Sequence, residues 1–338
     1  MSSKVTMKTI AEAVGTSVGT VDRALNNRGR INPDMKAQIL LAAEELGYKP
    51  NLSARSLRKD ALFKLLIVTR KEPRFFYHAL QLGFDDALNE YLEFGVHSEF
   101  IYSDSMSKED TCSLLKRMDI SSYSALLIDA WYPELSQFAL RFKRNGKLVV
   151  AVHLDLPEKT RDVFIGTDIQ QGGILAANYI GELLRNHGSL SILDAHRASA
   201  LWLDSLTREL SDQYPNITIQ KAAWEDISQL PDTAVVLACG PIEPQQQPLL
   251  AVVKGAVVCN EFNEVIYQML RQKQVAAVIC DTPYMQGYQS VKCIVEGLIR
   301  NVEVIEDAVQ IPPQLLLRAS LQSVPVPPTA DDGLKRGD

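Results

Sequence analysis

The chain has 338 residues, with 35 Lys and Arg against 41 Asp and Glu, a length that exceeds one ordinary core and suits two or three folded units. Its 46% hydrophobic, 22% charged and 7% aromatic residues are globular composition and exclude a mainly disordered, collagen-like or coiled-coil chain. The net charge of −6 is unevenly spread, +4 over residues 1–60 and −10 over the remainder, so the search for a polyanion site falls on the first sixty residues.

No apolar run reaches membrane length, and MSSKVTMKTI lacks the apolar stretch of a signal peptide, so a cytoplasmic chain with no membrane partner is expected. Cys112, Cys239, Cys259, Cys280 and Cys293 form no CxxC pair. Reduced thiols are therefore expected, rather than a disulfide framework or zinc finger.

From residue 6 to 46 the sequence predicts three short helices. Thr6 caps the first, which carries Met7, Ile10, Ala11 and Val14 on one face and breaks at Gly15-Thr16. The second runs from about Ser17 to Asn26, with Val21 and Leu25 turned inward. After a Gly-containing loop, Asn32-Pro33 opens the third, whose stripe is Met35, Ile39, Ala42 and Leu46 and which stops at Gly47.

Beyond the polar stretch NLSARSLRK the pattern changes. Buried-strand runs lie at 65–68, 124–128, 148–152, 163–165, 190–193, 234–238, 256–258 and 276–279. Helical periods such as Phe76/Leu80/Phe84/Leu88/Tyr91 and Tyr284/Tyr288/Val291/Val295/Leu298 alternate with them. Such alternation predicts parallel sheets covered on both faces, in two α/β layers of similar size. Residues 324–338, rich in Pro and charge, are expected to be a flexible tail.

The first two helices fit a helix-turn-helix whose second helix enters the major groove. Ser17, Val18, Gly19, Thr20, Asp22 and Arg23 lie near its leading end. Arg23 can fork onto guanine, Val18 can meet a thymine methyl, and Ser17 and Thr20 can hold phosphates. A small helical bundle with ordinary solvated charges fits the same pattern.

Residues 5–57, VTMKTIAEAVGTSVGTVDRALNNRGRINPDMKAQILLAAEELGYKPNLSARSL, resemble the DNA-binding headpiece of the lactose-repressor (LacI/GalR) family along their whole length, including the TVxRALN and GYxPN motifs. That resemblance implies that Val18, Gly19 and Arg23 read bases and that Ser17, Thr20 and Asn26 position the backbone, with Thr6 and Arg30 in the same DNA-contacting set. Asn51 would open a hinge helix over 51–60, with Ala54 and Leu57 facing the minor groove between Arg55, Arg58 and Lys59. In the family two such helices drive paired leucines into the central base step, the cost of unstacking being offset by a closer wrap of bent DNA. Asp22 departs from the Ser common in the family, and Gly19 leaves one base-reading position without a side chain.

Residues 61–323 resemble the type I periplasmic sugar-binding fold, through DLPEKTRDVFIGTDIQQGGILAANYI and DTPYMQGYQSVKCIVEGLI. The fold class implied is α/β: a small all-α helix-turn-helix headpiece (1–50) and a two-lobed Rossmann-like effector core. Its N-terminal lobe would hold 61–165 and 282–312, and its C-terminal lobe 166–281 and 313–323, with three chain segments crossing the cleft.

Ligands of parallel sheets bind beyond the carboxyl ends of the strands. That rule selects Arg74, Phe75 and Phe76, then Asp129 and Trp131, then His153 and Asp155, with Asp168 at the first crossing. In the second lobe it selects His196 and Arg197, Asn260 and Glu261, and Asp281 at the second crossing. Aromatic, carboxylate and guanidinium groups of this kind suit a sugar or other polyhydroxyl ligand; capping and lobe-closing roles are the alternative. Phe75-Phe76 is similar to the paired aromatics that stack on sugar in ribose-type binding proteins. Glu261 stands where Asp is usual and Asp281 where Gln is common, and Arg74 with Arg197 favours a phosphorylated or carboxylated sugar.

Cys239, Cys259 and Cys280 end successive strand runs, where small residues pack well; a redox or soft-metal role is the alternative. No P-loop, GxSxG or HExxH motif supports an enzyme, and no cofactor or metal is expected. The expectation is a homodimeric transcription regulator, a repressor, on a pseudo-palindromic operator under small-molecule control. The contrasting readings are an α/β enzyme and a transport binding protein.

Overall fold

A computed structural model describes residues 6–25, 31–46, 63–232, 234–300 and 307–327. Local chemistry builds the first unit. Helix α1 (Met7–Val14) starts at a capping box, in which the Thr9 amide donates to the Thr6 hydroxyl (3.3 Å) and the Thr6 amide to the Thr9 hydroxyl (3.2 Å). It ends at left-handed Gly15. Helix α2 (Val18–Leu25) is capped by Ser17, whose hydroxyl accepts from the Thr20 amide at 3.1 Å.

Before α3 (Pro33–Glu45), Asn32 Oδ1 accepts from the Asp34 amide at 2.8 Å. Ile10, Ala11, Val21, Ala24, Ile39 and Ala43 form the core of the three helices. The inward stripe of α3 therefore differs from the expected one. Ala43 rather than Leu46 follows Ile39, because a four-residue step keeps a side chain on one face and Leu46 lies beyond the last turn, exposed. In α2, likewise, Ala24 is fully buried and Leu25 only partly.

In the body, β1 (Phe63–Thr69), β2 (Val96–Tyr102), β3 (Ala125–Ile128), β4 (Leu148–Val152) and β5 (Val163–Thr167) form one parallel sheet. A second contains β6 (Gly188–Leu193), β7 (Ile217–Ala222), β8 (Val235–Ala238), β9 (Val257–Cys259) and β10 (Ala277–Cys280). The chain then revisits both: β11 (Ala308–Ile311) joins β5 in parallel, and β12 (Gln314–Leu316) joins β10 antiparallel. The strand orders are β11-β5-β4-β3-β1-β2 and β12-β10-β9-β8-β6-β7.

Helices α4 (Arg74–Glu90), α5 (Lys108–Arg117), α6 (Leu135–Arg144), α7 (Ile169–Leu184), α8 (Ala200–Gln213), α9 (Gln247–Leu250), α10 (Glu264–Arg271) and α11 (Pro283–Arg300) cover the sheets. Each sheet has apolar clusters on both faces, which is why its inner strands are continuous apolar runs. Helix α11 follows the second sheet in sequence but packs on the first lobe. A Cβ on its Gly287 would lie 2.3 Å from the Leu80 carbonyl, and one on Gly83 of α4 would lie 2.1 Å from the Tyr284 carbonyl.

The sheets are joined at Asp168, at 281–282 and at Pro312-Pro313, and these segments bond to one another. The Asp168 amide donates to the Ile311 carbonyl (2.9 Å), the Thr282 hydroxyl to the Pro312 carbonyl (3.1 Å) and the Gln314 amide side chain to the Asp281 carbonyl (3.4 Å). Within the expected tail, Val324 packs on a second-lobe cluster and Pro327 is buried, and residues 328–338 lie outside the described residues. Their apolar side chains keep this stretch on the body.

Candidate functional site

In the headpiece, Ser17, Val18, Gly19 and Arg23 are exposed at and along α2. Val18 is 45% exposed, an apolar side chain left outside the core at the leading end of the helix. A Cβ on Gly19 would meet nothing closer than Ser17 Oγ at 3.8 Å, so the fold itself does not require glycine there. Arg23 lies back along the helix, its Nε donating to the Gly19 carbonyl at 3.1 Å. Thr20 and Asp22 are half-buried beside this face, and Thr6 is exposed at the start of α1. Asn26, Arg30 and the proposed hinge residues Asn51, Ala54, Arg55, Leu57 and Arg58 lie outside the described residues.

In the body, the strand ends of the first lobe build a connected network. Asp129, just past β3, is fully buried, and its Oδ2 accepts from the Tyr77 hydroxyl at 2.5 Å. That hydroxyl in turn accepts from the Trp131 indole N–H. Burial, and then the Asp129 charge, push the Tyr77 phenol far above its ordinary pKa, so it stays a donor. Asp129 Oδ1 lies 3.5 Å from His153 Nδ1, but without hydrogen-bonding geometry, and neither atom has another hydrogen-bond partner.

His153 adopts a left-handed backbone (φ 63°), a conformation uncommon outside glycine and concentrated at functional sites. Its ring lies on Phe76 with centroids 4.2 Å apart. The opposite end of the network is Arg70, whose guanidinium covers the Trp131 ring at 4.2 Å and pairs with Asp104 at 3.7 Å.

The second lobe contributes Asp194, Arg197, Glu261 and Asp281. Arg197 pairs with Asp194 (3.8 Å), and Asp194 accepts from the Trp224 indole at 2.8 Å. Gly240, at φ 79°, leaves room for Arg197; a Cβ there would lie 2.7 Å from its Nε. Burial and the neighbouring Asp281 raise the Glu261 carboxyl above its ordinary pKa, with Arg197 and His153 opposing. Glu261 nevertheless remains exposed to solvent. The charge of His153, in the first lobe, thus acts on Glu261 of the second.

Several strand-end residues have other employment. Asp155 is held by buried Arg161 through two bonds (2.5 and 2.9 Å), and Arg161 also binds Asp307 at 2.7 Å, so this carboxylate is tied back to its own lobe. Asp168 caps α7 by accepting from the Gln171 amide at 2.9 Å, and Asn260 accepts from the Gly240 amide at 2.8 Å. Phe75 is not an open stacking platform, because its ring is buried against Phe262 and Tyr267 (centroids 5.6 and 5.9 Å). Arg74 is exposed at the start of α4, its charge lowering the pKa of His78 after burial has done so. His196 is exposed in a short turn after β6.

Sequence reasoning missed Tyr77, Arg70, Asp104, Asp194, Phe262 and Tyr267. Tyr77 directly follows Phe75-Phe76, and Asp194 directly follows β6, so the strand-end rule applied one residue more widely would have found both. Of the cysteines that end successive strands, Cys239 packs on one face of the second sheet, Cys259 and Cys280 on the other. Burial pushes the Cys239 thiol up to about 12, with Asp194 and Glu261 adding to it, and raises Cys259 and Cys280 further. Protonated buried thiols are inert packing groups. Among the described residues no His, Cys, Asp or Glu cluster could hold a metal, and no helix is long and apolar enough to cross a membrane.

Residues 6–51 match the family described as bacterial regulatory proteins, lacI family. The ribose operon repressor of Bacillus subtilis is 24% identical over 330 residues, covering 91% of this chain and 95% of that repressor. The HTH-type transcriptional regulator MalR of Streptococcus pneumoniae is 45% identical over 53 residues, 16% of either chain. The solved arabinose binding protein AraP of Geobacillus stearothermophilus has a TM-score of 0.68 at 14% identity, covering 79% of this chain and 100% of its own, a likeness of fold.

Proposed function

The chain belongs to the LacI family of DNA-binding transcriptional regulators, and from that premise we propose that it represses transcription as a homodimer on a pseudo-palindromic operator in the cytoplasm. In this reading a sugar or related polyhydroxyl effector between the lobes controls its grip on DNA. The exposed leading end of α2 carries the DNA half of the proposal: Val18, Gly19 and Arg23 stand outward on a helix held by Val21 and Ala24. One headpiece offers few contacts, and two on a symmetric dimer supply both affinity and half-site spacing.

Effector occupancy would change the angle between the lobes and so the spacing of the two headpieces. The observation supporting the cleft as receptor is the buried Asp129 Oδ1, which lacks a donor and which a ligand hydroxyl would satisfy. The test is retention of DNA by the intact chain and by a variant lacking residues 1–60. Loss of DNA binding with ligand binding kept is expected, and equal retention by both chains would refute the reading.

A further inference from the structure

The charges at the strand ends do not balance. The first lobe brings Arg70, Asp104, Asp129 and His153 to the cleft region, and the second brings Asp194, Arg197, Glu261 and Asp281. Both arginines are already paired, Arg70 with Asp104 and Arg197 with Asp194, and Arg74 stands exposed with its charge on His78. Asp129, Glu261 and Asp281 remain, and the side chains of the latter two make no hydrogen bond or ion pair among the described residues.

Glu261 and Asp281 issue from adjacent strands. Cys259 is directly opposite Val278 in the parallel β9–β10 pair, Glu261 lies two residues past Cys259, and Asp281 three past Val278. Neighbouring strands run about 4.8 Å apart, so two carboxylates emerge side by side. Like charges so placed oppose each other's ionisation, and the Glu261 carboxyl is raised by burial first and by Asp281 second.

Asp129 points independently to a ligand. Its side chain is wholly buried, one oxygen is satisfied by Tyr77, and the other has no donor and faces His153, the first-lobe group that reaches Glu261. Resting on the effector-cleft reading above, we propose that the effector is a polyhydroxyl ring bearing a protonated amine, its ammonium held by Glu261 and Asp281 and a hydroxyl by Asp129. An ammonium offers three donors and no acceptor, which matches the carboxylates of Glu261 and Asp281, and its bonds to carboxylates are charge-assisted. A phosphate or carboxylate, which Arg74 and Arg197 suggested from sequence, would enter beside three acidic groups, with Arg197 already paired to Asp194 and Arg70 to Asp104.

The test is calorimetric titration of the full chain with glucosamine, galactosamine and mannosamine, their neutral parent sugars, and the corresponding uronic acids. At least one amino sugar should bind about tenfold or more tightly than its parent, a difference near 1.4 kcal/mol, and E261Q and D281N should each erode that preference. If in every set the neutral or acidic sugar binds as tightly as its amino counterpart or more tightly, the proposal is overturned while the effector cleft stays intact. An amine preference that survives both substitutions overturns it as well. Binding of no sugar in any charge class overturns the cleft reading itself, and this inference with it. As a ligand-free check, relief of carboxylate repulsion should raise the Tm of E261Q or D281N at neutral pH; no rise in either also overturns it.

Discussion

Phe75 of the first lobe meets Phe262 of the second edge to face, with ring centroids 5.6 Å apart. The contact bridges the cleft from the start of α4 to the loop after β9, and Tyr267 closes its other side. Phe75 therefore helps decide how far the lobes stand open.

Replacing Phe75 by Ala removes a buried ring shared by both lobes. We expect a loss of about 3 kcal/mol, the lower end for truncating a buried Phe, together with a larger radius of gyration. Urea unfolding and small-angle scattering measure these. A parental midpoint and radius would show that the lobes do not depend on this ring.

Tyr77→Phe leaves Asp129 without its donor and the Trp131 indole without its acceptor. Unsatisfied buried groups cost about 1–3 kcal/mol each, so the variant should unfold at clearly lower urea concentration than the parent. A stability within experimental error of the parent would mean that water replaces the phenol.

The pH dependence at Asp104 has a definite sign. Burial raises its pKa, but the Lys71 and Glu72 amides, each at 2.8 Å, and the Arg70 charge outweigh that, so the folded carboxyl titrates below its ordinary value. Its contribution to stability is present above the unfolded pKa of about 4 and disappears as pH falls through the lower folded value. Asp104→Asn should be less stable than the parent at pH 7 and approach it in acid. A difference independent of pH between 2 and 7 would contradict this.

On the headpiece, Arg23→Ala should change folded stability by less than about 0.5 kcal/mol, as is usual for an exposed side chain. It should weaken specific DNA binding by about 1–3 kcal/mol if the arginine forks onto a base. Gly19→Ala should stabilise α2 by up to about 1 kcal/mol, because open space surrounds that position in the free chain. Thermal unfolding and fluorescence anisotropy on an operator fragment separate the two readouts. Equal loss of specific and random DNA binding in Arg23→Ala would assign Arg23 to phosphate instead.

The three headpiece helices were legible because their boundaries are set within a few residues, by Thr6 with Thr9, by Gly15 and by Asn32-Pro33. Strands β1, β3, β4 and β8 were legible because burial on both faces leaves an unbroken apolar run. Strand β2 (VHSEFIY) and strand β7 (ITIQKA) were not: each edges its sheet and exposes part of its length, so polar residues interrupt the signal. Strands β11 and β12 are four and three residues long, too short for periodicity to register.

At the cleft, the strand-end rule located the right neighbourhoods but could not tell which side chains were already engaged. Asp155 and Arg161 are six residues apart, and nothing in their spacing announces a pair that also reaches Asp307. Nor does sequence order place Phe262 beside Phe75, since that meeting requires both lobes to be folded and docked.

The three peptides between the sheets are stitched to one another through Asp168, Ile311, Thr282 and Pro312, so they behave as a spine of fixed width. Two pages bound to such a spine can turn but cannot slide past each other or draw apart. Whatever enters between them is reported to the rest of the molecule as a single angle.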